Sequence, residues 1–393
     1  MTSKPDHEAG ANLPYGRHSV DEEDVSEVVR VLSGDWLTTG PEIRRFEQAL
    51  EEFLDVPHCV AVSSGTAALH CAMQACDVGP GDEVLVPALT FAASANAALY
   101  VGATPIFVDV EPDTLLVDVA SVSERITERT KAIVAVDYAG QMADYDGLNQ
   151  IARERGIAIV ADRCHSIGAR HARMSTGSIA TASAFSFHPV KHITSGEGGV
   201  VALADPERAA AARRFRNHGI TTDHRERDRL VTHSYDMVDL GYNYRLTDLQ
   251  AALGRSQLRR LPGWLARRRE IAARYDTMFA GMPWLVPLSK RVDRDHAYHI
   301  YVVALKLDRL TCDRDKIFEE LRANGIGANV HYVPVYLHSF YRKRLGCQPG
   351  LCPVAEVEYR RILTLPLYPA MTESDIERVV ATVDRICRKY SCD

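Results

Sequence analysis

The stretch Cys59-Val60-Ala61-Val62-Ser63-Ser64-Gly65-Thr66 reads as a short apolar strand that turns, on small hydroxylated residues, into an alanine-rich helix. Four consecutive apolar residues leave no polar face, so this strand must be covered on both sides. The same unit recurs on either side of it. Upstream, Ile43, Phe46, Leu50 and Phe53 form one helical stripe, with Pro41 where a first turn accepts it. Downstream, Glu83-Val84-Leu85-Val86, Ile106-Phe107-Val108, Ala132 to Val136 and Ile157 to Ala161 are strand-like runs separated by helical stretches. Buried strands alternating with helices predict an α/β fold, a parallel sheet between two helical layers.

After Thr247 the texture changes. An arginine-rich helix is expected from Leu246 to Ala280, interrupted at Pro262. A strand (His299 to Leu305), a helix (Asp313 to Asn324), a strand (Ala328 to Val333), a proline-rich stretch and a terminal helix (Glu373 to Lys389) follow. This pattern predicts a large domain over 1–255, with an N-terminal arm, and a small α+β domain over 256–393.

Composition excludes several classes. The 393 residues are 46% hydrophobic and 25% charged, which is globular rather than disordered. A formal charge of −6 argues against the basic face of a nucleic-acid protein. No apolar run approaches the roughly 18 residues of a membrane span, and Met1 to Gly16 lacks the apolar region of a secretory signal. The nine cysteines are scattered, and the pairs Cys71/Cys76 and Cys347/Cys352 have four-residue gaps. Reduced thiols in a cytoplasmic protein without a metal site are the expectation.

In an open parallel sheet, ligands gather at the carboxyl ends of strands. Three places there carry chemistry. Ser63-Ser64-Gly65-Thr66 offers free backbone N–H groups, a helix dipole and hydroxyls to a phosphate, although an ordinary N-cap looks the same. Asp162, after the strand Ile157 to Ala161, is either a counter-charge for a ligand cation or a partner of Arg163 or of a helix cap. Lys191, in Phe185-Ser186-Phe187-His188-Pro189-Val190-Lys191 with Gly196-Glu197-Gly198-Gly199 beyond, is either a rim lysine or an amine made nucleophilic by burial. Together they match one cofactor. Pyridoxal phosphate needs a phosphate cradle, a carboxylate for its pyridine nitrogen, a lysine for its aldehyde and an aromatic face, for which Phe91 is the candidate. His188 and His192 are expected to shape the loop around the lysine, while His296 and His299 fit either substrate contact or small-domain packing.

On these residues the chain resembles the DegT/DnrJ/EryC1/StrS family of sugar aminotransferases, fold-type I pyridoxal-phosphate enzymes. The resemblance runs from Trp36-Leu37-Thr38-Thr39-Gly40-Pro41 to Leu365-Pro366-Leu367-Tyr368, and Ser186 to Lys191 with Gly196 to Gly199 is its most specific part. Val136-Asp137-Tyr138-Ala139-Gly140, Asn217-His218-Gly219-Ile220 and Tyr242-Asn243-Tyr244-Arg245 look most like the branch serving pseudaminic acid biosynthesis.

The resemblance implies a mostly parallel seven-stranded sheet between helices, a smaller C-terminal domain and a homodimer with shared sites. It implies that Lys191 holds the cofactor's aldehyde and shuttles a proton, that Asp162 pairs with the pyridine nitrogen, and that His165 sits near the phenolic oxygen. Gly65, Thr66 and Ser186 would hold the phosphate, Phe91 would stack on the ring, and Asn243 would reach the neighbouring subunit's phosphate. His331, Tyr332 and Tyr336 would line the sugar-nucleotide side. L-Glutamate would be the donor, and a nucleotide-linked 4-keto deoxysugar the acceptor. A keto-cyclitol or antibiotic-type sugar is the alternative, and a non-catalytic regulator of the same fold a further one. Arg163 and Cys164 after Asp162, and Gln141-Met142-Ala143-Asp144, depart from the family pattern.

Overall fold

Each central strand divides its side chains between two faces, because successive Cβ atoms alternate. Val60 and Val62 of β1 (His58–Val62) face one side and Cys59 and Ala61 the other; all four are inaccessible. The same division holds in β2 (Glu83–Pro87), where Val84 and Val86 oppose Leu85, and in β4 (Thr130–Val136), where Val134 opposes Ile133 and Ala135. The helices Gly65–Ala75, Ala92–Tyr100 and Pro206–Arg216 cover the first face. Pro41–Leu54, Tyr145–Arg155 and the start of Asp248–Phe279 cover the second. The computed structural model describes residues 12–392 other than 172, 173, 175, 223–226 and 228.

The sheet has seven strands in the order β1-β7-β6-β5-β4-β2-β3, adding β3 (Thr104–Val108), β5 (Ala158–Asp162), β6 (Ala182–Ser186) and β7 (Gly199–Leu203). Strands β2 to β6 are mutually parallel, and β7 runs antiparallel between β1 and β6. The mostly parallel sheet is therefore as expected. A second sheet of three antiparallel strands follows, β10-β9-β8, formed by Leu285–Pro287 (β8), Tyr301–Leu305 (β9) and Ile362–Leu365 (β10). The helices Arg314–Ala323 and Glu373–Lys389 pack on it through Ile317, Leu321, Ile376, Val379 and Val383. No helix among the described residues is long and apolar enough to cross a membrane.

Three expectations give way. Asp248–Phe279 is one helix of 32 residues that continues through Pro262. A proline there costs about 3 kcal/mol, but Leu258, Leu261 and Leu265 are buried around it, each worth roughly 1.5–3 kcal/mol. The boundary at residue 255 thus falls inside a continuous helix, whose last turns (Ile271, Ala272, Tyr275, Phe279) belong to the small-sheet core. Leu13 also lies in that core, bridged to Ile326, so the N-terminal arm packs on the C-terminal segment. Finally, Ala328 to Val333 forms no strand. Asn329 alone bridges Thr364 on β10, and the chain then leaves the sheet edge.

Candidate active site at the strand ends

The register brings separate sequence segments to one edge. Val136 lies opposite Asp162, Asp162 opposite Ala184, and Gly199 of β7 opposite both Val62 and Ser186. Hence Asp162, Ser186 and the turn after β1 meet at the carboxyl end of the sheet, where such folds bind ligands.

In the turn, Ser64 caps the helix Gly65–Ala75 by accepting from the Ala67 N–H at 3.1 Å. The N–H groups of Gly65 and Thr66 precede the first intrahelical acceptor and stand at the positive end of the dipole. Gly65 is a glycine because of space. A Cβ there would lie 2.7 Å from Ser186 Cβ and 3.0 Å from its Oγ, so the two residues close one small-residue cradle.

Asp162 is 7% exposed. Its Oδ2 accepts from Ser94 Oγ at 2.7 Å and its Oδ1 from the Cys164 N–H at 3.2 Å. Ser94 has a single hydroxyl proton, so Thr90 Oγ1, at 2.8 Å, must be the donor to Ser94. The Thr90–Ser94 relay escaped the sequence reading. Its only signal was two hydroxyls at helical spacing just after β2. Arg163 does not serve Asp162. It points to the opposite side, with Nε 3.4 Å from Asp137 Oδ2, and donates to Thr176 Oγ1 (3.1 Å) and the Ala169 carbonyl (3.0 Å) beneath the Phe185 ring. Burial pushes the Asp137 carboxyl up, against the pull of Arg163 and of donors from Ser166, Ala143 and Tyr145.

Lys191 follows a tight turn after β6 in which its N–H bonds the His188 carbonyl at 2.8 Å. Its Nζ lies 3.4 Å from His299 Nε2. Burial pushes the Lys191 ammonium below its ordinary range, although Cys164 and Asp162 oppose this. The His165 ring stands 4.3 Å from that of His299, and His165 Nε2 is 3.1 Å from the Tyr332 hydroxyl. Burial holds His165, His192 and His299 well below the imidazole range. His331 is pushed down to about 3 by burial and then by Lys191; its Nδ1 pairs with Thr364 Oγ1 at 2.8 Å. His192 donates from Nε2 to the Ala297 carbonyl, while His188 is exposed and its Nδ1 accepts from the Val190 N–H, so both shape the loop.

Phe91 is the N-cap of Ala92–Tyr100, 59% exposed, with its ring 6.0 Å from that of Tyr332. Tyr336 does not join this group. It is wholly buried against Phe107, and its hydroxyl is taken by Glu356, so it is a core residue rather than a lining one. The family resemblance placed it with Tyr332; the short helical turn Val335–Leu337 sets it in the core instead. Asn243 is exposed beside the end of β1, where its neighbours Tyr244 and Arg245 pair with Ser63 and Val62. The stretch that precedes it exposes large apolar residues, including Val231 (92%) and Leu240 (78%).

A cleft of about 1050 Å³ lies outside the lysine group, lined by Arg44, Arg213, Arg214, Arg216, Arg227, Arg229 and Arg245. Its carboxylate, Glu47, is already engaged by Arg44 and Arg216. Elsewhere Asp146, His171 and Asp293 bring ligand atoms within 4.8 Å of one another, with Asp293 held by Arg294.

The donors fit pyridoxal phosphate. The cradle is too tight for a side chain at Gly65, the carboxylate is anchored, the lysine is half-buried beside His299, and His165 Nδ1 is buried with no hydrogen-bond partner. A mostly parallel sheet with this set at its edge defines a fold-type I pyridoxal-phosphate-dependent aminotransferase. Residues 18–384 match the DegT/DnrJ/EryC1/StrS aminotransferase family, and the chain belongs to it. It is 36% identical to the spore coat polysaccharide biosynthesis protein SpsC of Bacillus subtilis, covering 96% of this chain and 97% of the relative. Spr1654 of Streptococcus pneumoniae, described as a sugar aminotransferase, superposes with a TM-score of 0.90 in its PMP form, at 35% identity over 96% of this chain and all of that one. It has also been solved in a PLP form. PseC of Helicobacter pylori, an aminotransferase of pseudaminic acid biosynthesis, superposes at 0.89 with 30% identity, over 96% of this chain and 100% of its own.

Proposed function

We propose that this sugar aminotransferase moves an amino group from L-glutamate to the keto group, at C4, of a nucleotide-linked deoxysugar. The observation that carries the reading is Lys191, half-buried and without a carboxylate bonded to its amine, at the edge that also holds Asp162 and the Gly65–Ser186 cradle. When bound, pyridoxal phosphate supplies the aldehyde and the electron-withdrawing ring through which the amino group passes. Lys191 Nζ would hold the aldehyde and, once released, would take and return the substrate's proton. Asp162, anchored by Ser94, keeps a proton on the pyridine nitrogen. The N–H groups of Gly65 and Thr66, with the Ser186 hydroxyl, hold the phosphate. Phe91 would cover the ring, and His165, bonded to Tyr332, would meet the phenolic oxygen. His331 and Tyr332 form the sugar side.

The stretch from Leu230 to Tyr242 exposes seven large apolar side chains, and apolar surface gathered in one segment supports a homodimer. Asn243, within that surface, then reaches the neighbouring subunit's phosphate.

The deciding experiment incubates the cofactor-loaded protein with glutamate and a panel of 3-keto and 4-keto sugar nucleotides. We expect 2-oxoglutarate and an amino sugar nucleotide in equal amounts from a 4-keto acceptor. A protein that takes up no pyridoxal phosphate, or that borohydride fails to link to it at Lys191, overturns the reading. Turnover with a free keto-cyclitol alone replaces the acceptor.

A further inference from the structure

His299 belongs to the chain's C-terminal segment, yet its ring lies against the lysine of the large domain. Lys191 and His299 are 108 residues apart and their nitrogens 3.4 Å apart. The backbone carrying the ring is pinned: Arg268, wholly buried in the long helix, donates to the carbonyls of Tyr298 (3.1 Å), His299 (3.2 Å) and Leu367 (3.0 Å). On the other side Ala297 donates its N–H to the Gly140 carbonyl, and the His192 ring bonds the Ala297 carbonyl.

The imidazole nitrogens of His299 are not equivalent. Nδ1 is buried with no hydrogen-bond partner, whereas Nε2 faces Lys191. A neutral imidazole has one N–H, and a buried N–H goes where it finds an acceptor. A proton on Nε2 leaves no imidazole N–H unsatisfied and makes His299 the donor. Only a free amine can accept that bond, because an ammonium has no lone pair. We propose that His299 is the positioning residue of Lys191: its Nε2–H holds the amine in its free-base form and in one orientation.

The surroundings agree from every side. His165 and His192 flank the His299 ring at 4.3 and 5.6 Å, and an imidazole carries no negative charge that could pair with an ammonium. Asp162 and Cys164 pull the other way, but the Asp162 oxygens are bonded to Ser94 and the Cys164 N–H. The positive charge of Arg268, together with burial, disfavours a second proton on His299. The inference rests on the proposed role of Lys191, but not on the identity of donor or acceptor.

The test uses the full-length, cofactor-free protein. The rate of Lys191 acetylation is followed by peptide mass spectrometry from pH 6 to 11 in the parent, in His299→Gln, which keeps a donor, and in His299→Phe, which fills the space without one. We expect His299→Gln to retain the parent's midpoint and His299→Phe to move it up by about one pH unit, roughly tenfold slower modification at pH 8. His299→Phe tracking the parent, or His299→Gln shifting as far as His299→Phe, overturns the proposal, since space-filling alone would then suffice. Selective ¹⁵N-histidine labelling of the parent gives a second readout that needs no Phe variant. A proton on Nδ1 of His299, assigned by its loss in His299→Gln, refutes the proposal as well. Both readouts are independent of turnover, so their failure is distinguishable from failure of the glutamate assay.

Discussion

Ser94 Oγ donates to Asp162 Oδ2 at 2.7 Å, joining the helix after β2 to the end of β5, and Thr90 in turn donates to Ser94. The carboxylate is thereby fixed by a side chain that itself has no access to water. A hydrogen bond to a charged group is worth about 1.5–3 kcal/mol. Ser94→Ala should raise the dissociation constant for pyridoxal phosphate by at least about tenfold, and Thr90→Ala by less. Equilibrium dialysis gives the comparison; unchanged retention in Ser94→Ala would remove Ser94 from the site.

Arg163 is bound to Asp137 rather than to its neighbour Asp162, and this predicts a stability effect. Arg163→Met strands a fully buried carboxylate and should cost about 3–5 kcal/mol, much of it recovered in Arg163→Met/Asp137→Asn. Urea unfolding of the cofactor-free protein reads this directly. A variant that unfolds like the parent yet loses the cofactor would reassign Arg163 to Asp162.

Acid sensitivity follows from His165, His192, His299 and His331, all held below their ordinary pKa by burial. The unfolded chain takes up protons on them as pH falls through about 6.5, whereas the folded chain does not. Stability present above that pH is therefore lost below it, by up to about 1.4 kcal/mol per pH unit for each group. The urea midpoint should fall steeply between pH 6.5 and 5. Equal midpoints at pH 7 and pH 5 would show that these rings charge freely in the folded state.

The shared site of the proposed dimer can be tested by mixing lesions. Lys191→Ala and Asn243→Ala subunits should each be inactive or weak as homodimers. Their hybrids place both lesions in one site and leave the other intact. Co-expression should recover about one quarter of parental activity, from the half of dimers that are hybrids. Hybrids that form but remain as weak as the separate variants would confine Asn243 to its own subunit.

Much was legible from local pattern alone. The doubly apolar strands announced a covered parallel sheet, and the terminal helix Glu373–Lys389 lies where its periodicity placed it, since one face of it is wholly buried. Pro262 misled because a local penalty was read without the packing that offsets it. Ala328 to Val333 misled because apolar residues leading toward a buried site look like a strand. Tyr336 was placed by family resemblance, which says nothing about the direction of this side chain.

What the sequence determined by itself is the inventory. A small-residue turn, a carboxylate and a lysine follow three strands, because each group sits next to its own secondary structure. Tertiary structure alone decided how that inventory is supported: Ser94 behind Asp162, Asp137 taking Arg163, His299 reaching Lys191 from the other end of the chain, and Arg268 pinning the segment that carries it. Those partners are set by the pairing register and by helix packing, which bring together residues between 26 and 108 positions apart. No local pattern carries that information, because hydrogen bonds across a fold depend on where strands end in space rather than on what adjoins them in the chain.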